Sequence, residues 1–198
     1  MKILFRTALS AAASFFLLLL VSSCTTSRLT DGEKGLLFTI GNFTNNTIYR
    51  FDDTRRCETF SKSVLPGIFN KADLTYTFNS SKATNYKQYL YINSILQTYR
   101  SEAEAKRNIS SFKTAFTVSF KIAGKYLDLK TDNTIFTLGD ENYHSYILIK
   151  GSTSGNLLIT RIGKNMLVVI IMGIYFDDRE SLEQAVAETV NNIKKSSS

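Results

Sequence analysis

From Met166 to Phe176 the chain runs eleven residues with no charged or amide side chain, interrupted only by Gly173. A membrane-crossing helix needs about 20 apolar residues, so the run is too short to span as a helix. It is rich in β-branched residues and does not alternate. A strand with one wet face alternates apolar and polar positions, whereas a strand covered on both faces does not. The run therefore predicts a central strand between two covering layers. The flanks agree. Gly163-Lys164 fits a tight hairpin turn before it. After it, Asp177-Asp178 caps a closing helix with Leu182, Ala185, Val186, Thr189, Val190 and Ile193 on its buried side. Lys194-Lys195 suit the negative end of that helix's dipole, and residues 196–198 read as a frayed tail.

The rest of the chain supplies the partners that such a strand needs. Ser101-Glu102-Ala103-Glu104 is a capping box, and Ala105, Ile109, Phe112, Phe116 and Phe120 follow at helical spacing, predicting a helix over Glu102–Ser119. That aromatic stripe is core. Leu74–Phe78 alternates as a strand, Asn79–Asn85 reads as a polar loop, and Tyr86–Arg100 reads as a longer strand, so the two strands form a hairpin. Thr30-Asp31-Gly32-Glu33 is another capping box, opening a helix expected over Asp31–Ile40. Gly41–Asn46 is a polar break and Thr47–Phe51 a brief strand. Asp52–Lys62 carries no pattern that decides between helix and strand. Pro66-Gly67 marks a turn, as does Gly151–Gly155. Short strands are expected within Ile122–Leu129 and over Ser145–Lys150 and Leu157–Ile162. No repeat or linker appears. The fold class is α+β: a single α/β/α sandwich over residues 31–195, with a mainly antiparallel sheet covered by helices.

The N-terminus is an address. Lys2 and Arg6 precede an apolar stretch from Ala8 to Val21, which ends in Ser22-Ser23-Cys24. This boundary resembles a bacterial lipobox: Val21 as the aliphatic residue, Ser22 and Ser23 as the small ones, Cys24 as the invariant thiol. The resemblance implies that residues 1–23 are removed between Ser23 and Cys24. It implies that Cys24 receives a diacylglyceryl group and that its new amine is acylated with a fatty acid such as palmitate. Residues 24–30 would then be a short lipidated tether, and stable anchoring takes about two chains. Thr25 in place of the aspartate that retains some lipoproteins at the inner membrane favours the outer membrane in a Gram-negative cell. The signal carries two of the 24 basic residues and none of the 17 acidic ones, leaving a net charge of +5 on the remainder. That charge suits a domain near lipid headgroups. Arg55-Arg56 and Lys194-Lys195 are isolated pairs, so no nucleic-acid face is expected.

Several short stretches resemble the PsbP-like α/β/α sandwich, most of all the small exported relatives of the PknH-type extracellular kinase sensor domain. They are Leu29-Thr30-Asp31 before Gly41, Cys57 before the first hairpin, Ser101–Ala105, Leu138-Gly139-Asp140-Glu141 before a strand, and Arg161–Asn165 turning into the hydrophobic strand. The chain departs from those domains in lacking tryptophan and, once Cys24 is lipidated, any intramolecular disulfide. The resemblance implies sensing or binding outside the membrane, with no specific ligand.

No catalytic constellation stands out. Cys57 is a buried inert thiol, a partner for a mixed or intermolecular disulfide, or, without a basic neighbour, a poor nucleophile. His144 is the single histidine; it begins a strand and reads as a partly exposed hydrogen-bonding residue or a pH-responsive group. No paired cysteines or histidines form a metal set. Asp132, Asp140 and Glu141 lack the calcium-loop spacing and read as a solvated acidic loop. Gly151–Gly155 has Thr153 where a nucleophile elbow needs serine. Gly163-Lys164-Asn165 lacks the spacing of a phosphate loop. Asp52-Asp53 and Asp177-Asp178 fit turns and caps. No cofactor is implied. The expected role is a membrane-anchored, non-enzymatic module of the cell envelope that binds a small ligand or an envelope protein. The alternative is a structural or assembly accessory.

Overall fold

The computed structural model describes residues 29–43, 51–63, 74–84, 89–122 and 126–197. The apolar run forms the strand Asn165–Met172, fourth of seven in one antiparallel sheet. In chain order the elements are α1 (Asp31–Lys34), a 3-10 turn (Ile40–Phe43), β1 (Phe51–Ser63), β2 (Leu74–Thr84), β3 (Tyr89–Thr98), α2 (Glu102–Ile122), β4 (Leu127–Thr131), β5 (Glu141–Ile149), β6 (Ser152–Ile162), β7 (Asn165–Met172) and α3 (Arg179–Ser196). The strand order is β1-β2-β3-β7-β6-β5-β4. Two meanders, β1–β3 and β4–β7, are thus joined side by side, and α2 carries the chain from one to the far edge of the other. The architecture is the expected α+β sandwich.

The central strand is buried on both sides, and its residues divide by parity. Met166, Val168 and Ile170 join Leu157, Ile159 and Ile147 beneath Ala105, Ile109, Phe112, Phe116 and Phe120 of α2. Leu167, Val169 and Ile171 face the other way, onto a core closed by Leu182, Val186, Val190 and Ile193 of α3 and by the N-terminal segment. All six positions expected on the buried side of α3 are buried, and Asp178 caps it by accepting a hydrogen bond from Ser181 N–H at 2.8 Å. Each fully buried Val, Leu or Ile contributes about 1.5–3 kcal/mol, so the two clusters hold the layers together. The N-terminal segment lies across the α3 face. Glu33 and Thr30 close the capping box, and Glu33 meets Lys62 of β1 at 2.5 Å. The Lys62 ammonium and the Thr30 backbone N–H hold the Glu33 carboxyl down to about 2. Further along, Phe43 stacks on Phe176 at 5.6 Å.

Several elements differ from the sequence reading. The first helix stops at Lys34 instead of Ile40, with Gly35 as its C-cap. Residues 79–84 are strand, not loop, because β2 pairs with β3 as far as Ala83 opposite Tyr89. β1 resolves the undecided stretch from Asp52 as strand. Only Lys150 and Gly151 form the turn expected over residues 151–155, with φ of 53° and 80°; Ser152–Gly155 already belong to β6. A Cβ at Gly155 would collide with the Ile171 carbonyl oxygen, so glycine is what lets β6 approach β7 there. The chain also stays ordered past Lys195, where a frayed end was expected: Asn165 Nδ2 donates to Ser197 Oγ, and Ser197 Oγ donates to the Ile193 carbonyl, both at 2.7 Å. The Pro66-Gly67 turn lies outside the described residues.

Candidate ligand-binding face

Helix α2 packs over β4, β6 and β7. The same side of the sheet continues across β3, β2 and β1, where no described helix covers it. Register fixes which residues lie there. Ile95 sits opposite Val168 and Asn93 opposite Ile170, so both share the α2 side of the sheet. From them three rows cross the strands: Gln97–Thr75–Ser63, Ile95–Thr77–Ser61 and Asn93–Asn79–Thr59. Tyr91 extends the face along β3. Thr59 is exposed, and Ser61, Ser63, Thr75, Thr77, Asn79, Tyr91 and Ile95 are half-buried. None of these positions carries a charge at neutral pH, in a chain whose residues are 21% charged.

The face has an ordered centre. Asn79 Oδ1 accepts from Asn93 Nδ2 at 2.5 Å and from the Tyr91 hydroxyl at 3.4 Å. Gln97 Oε1 accepts from the Tyr99 hydroxyl at 2.7 Å. Burial pushes the phenols of Tyr91 and Tyr99 upward, so both stay neutral donors. The arrangement can donate and accept hydrogen bonds to a ligand laid across it; it has no nucleophile–base pair and no set of metal donors. No motif in the sequence marks these residues. The available signal was the alternation in β3, where Leu90, Ile92 and Leu96 face one way and Tyr91, Asn93 and Gln97 the other.

The residues singled out from sequence lie elsewhere. Val21, Ser22, Ser23 and Cys24 lie outside the described residues. Cys57 stands opposite Ser81 in the β1–β2 register, and its side chain lies outside them too. The stretches Leu138–Glu141 and Arg161–Asn165 do meet. Asp140 N–H donates to the Arg161 carbonyl at 2.8 Å, Gly163 N–H donates to Asp140 Oδ2 at 2.7 Å, and Arg161 pairs with Asp140 at 3.2 Å and Glu141 at 3.3 Å. These carboxylates are committed to Arg161, which is itself largely buried. Asp132 turns instead to the hydroxyl and N–H of Thr134, which hold its carboxyl below the usual range. The three acids therefore do not converge. Among the described residues no group of three or more His, Cys, Asp or Glu side chains is placed to hold a metal.

His144 is not partly exposed but fully buried, in the interior of β5. Its Nδ1 lies 2.9 Å from the Asp132 carbonyl oxygen and its Nε2 2.9 Å from Asn156 Nδ2. The carbonyl can only accept and the amide nitrogen only donate, which assigns the neutral Nδ1–H tautomer. Asn156 also donates to the Phe176 carbonyl at 3.0 Å and accepts from Phe176 N–H at 2.8 Å. Burial pushes the imidazole below its ordinary value, outweighing the opposing effect of Asp132. This network fastens the segment after β7 to β5 and β6. Tyr143 lies under α2: burial raises its phenol, but contacts with the hydroxyls of Ser145, Thr131 and Thr117 and with Lys113 outweigh that and leave it below its usual value.

Among solved structures, the fold is similar to that of the extracellular domain of PknH from Mycobacterium tuberculosis. The superposition has a TM-score of 0.52 and 9% sequence identity, and covers 86% of this chain and all of that domain. At that identity the likeness is one of fold. No protein-family model matches the chain, and no curated protein matches it. Among the described residues, no helix is long and apolar enough to cross a membrane.

Proposed function

We propose that this protein is a lipid-anchored, non-enzymatic binding module of the bacterial cell envelope, sensor-like in role, and that it binds across the open face of β1–β3. The observation that carries the reading is that, among the described residues, half of one sheet face is uncharged and has no helix over it, while the other half is sealed by α2. Two further observations support it. The likeness to the PknH extracellular domain offers a precedent for this fold outside a membrane. The Val21-Ser22-Ser23-Cys24 sequence would place the domain on the extracytoplasmic side, held by the lipid on Cys24, with the outer membrane favoured by Thr25. The described structure begins at Leu29, whose side chain is already in the core. Only a few residues then separate the folded domain from the lipid, and the domain rides close to the headgroups.

The anchor is tested by Cys24→Ala. The variant is expected to be released from membranes or to stall as the unprocessed precursor; full membrane retention with normal processing would contradict lipidation.

A further inference from the structure

Resting on the binding-module reading, we propose that the open face takes a neutral, hydroxyl-rich ligand: an oligosaccharide laid across β1, β2 and β3. The surface chemistry disfavours the other ligand classes. Nucleic acid and anionic lipid are held by lysine and arginine, and the three rows contain neither. An apolar small molecule needs a concave, apolar-lined pocket; this is a sheet surface whose three rows carry Ile95 as their one large apolar side chain, with Tyr91 beside them. A protein interface centres on buried aromatic or arginine anchors and is poor in serine, whereas this face is mostly short hydroxyls and amides.

What the face does offer is a grid of hydrogen-bonding groups. Strands lie about 4.8 Å apart, and side chains on one face recur about every 6.8 Å along each strand. Each hydroxyl can donate one hydrogen bond and accept others. Among the described residues, the hydroxyls of Thr59, Ser61, Thr75 and Thr77 make no side-chain hydrogen bond. Asn79 uses its carbonyl oxygen inward, on Asn93 and Tyr91. That leaves its amide N–H groups for a ligand and fixes their direction beforehand, which lowers the ordering cost of binding. The Tyr91 ring beside it supplies an apolar surface for the C–H side of a sugar, with a polar tip already bonded. A field of neutral donors and acceptors around one half-buried aromatic ring matches the polar rim and apolar face of a pyranose.

The test uses the full-length lipidated protein in detergent micelles, titrated calorimetrically with neutral oligosaccharides of N-acetylglucosamine and of glucose in increasing length. At least one series is expected to bind more tightly as it lengthens, with less than about a twofold change between low and high salt, because no charge is screened. Thr59→Lys and Thr77→Lys should each weaken binding by roughly tenfold or more, about 1.4 kcal/mol, without moving the thermal unfolding midpoint. Val118→Ala, on the exposed back of α2, should leave it unchanged. Binding that survives both open-face variants, or binding only of anionic oligosaccharides, overturns the proposal. So does an absence of oligosaccharide binding; if a photocrosslinker at Thr77 then captures one protein in intact cells, the ligand class is wrong and the binding-module reading stands. If it captures nothing, both fall.

Discussion

One side of one sheet carries two different surfaces. Over β4–β7 it presents Ile147, Leu157, Ile159, Met166, Val168 and Ile170, sealed by five apolar residues of α2. Over β1–β3 it presents Thr59, Ser61, Thr75, Thr77, Asn79 and Asn93. Backbone pairing is continuous across the boundary, since β3 and β7 stay in register from Tyr91–Met172 to Thr98–Asn165. Hydrogen bonding therefore holds the two halves equally, and side chains alone decide which half is covered. An antiparallel sheet tolerates one wet face. Half of one face has no described helix over it here, and on the proposed reading the chemistry at that half serves recognition instead of stability.

The largest expected contrast comes from truncating one residue in each half. Leu157→Ala removes a fully buried side chain beneath α2 and should cost about 2–5 kcal/mol in chemical denaturation. A cost below that range would mean that α2 does not pack as described. Next is Asn156→Ala, behind the covered side, which leaves Phe176 N–H, Phe176 C=O and His144 Nε2 without their partner. Each buried group so orphaned costs about 1–3 kcal/mol, short of strict additivity. A neutral result would show that the segment after β7 is not fastened by this network.

Smaller, and signed, is the effect of pH. The buried imidazole of His144 titrates below its ordinary value in the folded chain. Below about pH 6.5 the unfolded chain therefore binds a proton that the folded chain does not. Stability should fall as pH drops through that range, by up to about 1.4 kcal/mol per pH unit, until the folded-state imidazole itself protonates. His144→Gln should flatten that part of the profile; an unchanged profile would assign the loss to other groups. The smallest effect belongs to the open half: Thr59→Ala, at an exposed position, should stay within about 0.5 kcal/mol of the parent. A large loss there would mean that something covers the face.

The covered half was readable from sequence, whereas in the open half the β2–β3 hairpin was readable but its extent and its surface were not, for physical reasons. Burial under a helix writes itself locally, as the unbroken run from Met166, the helical spacing of Phe112, Phe116 and Phe120, and the cap at Asp178. The open half carries a weaker signature, the alternation of Leu74–Phe78 and of β3, and it stops short of the strand's end. Asn79-Ser80-Ser81-Lys82 has the composition of a loop, and only its pairing with Leu90–Asn93, a non-local fact, makes it strand. Ser80 confuses the pattern further by being polar and buried. His144 was misread for a similar reason: its partners Asp132, Asn156 and Phe176 arrive from separate elements. The meeting of Asp140 with Arg161 and Gly163 likewise depends on the β5–β6 register, and spacing along the chain does not encode it.

The most direct test of the open face as a binding surface is hydroxyl-radical footprinting of the protein in intact host cells, compared with the purified protein. Tyr91 and Ile95 report the open half, and Ile122 and Tyr126 report the exposed end of α2 and the turn that follows. Protection of Tyr91 and Ile95 in cells, with Ile122 and Tyr126 unchanged, is the predicted result. Equal labelling of Tyr91 and Ile95 in both settings, with protection appearing at Ile122 and Tyr126 instead, would contradict the account and move the binding surface to the opposite side of α2.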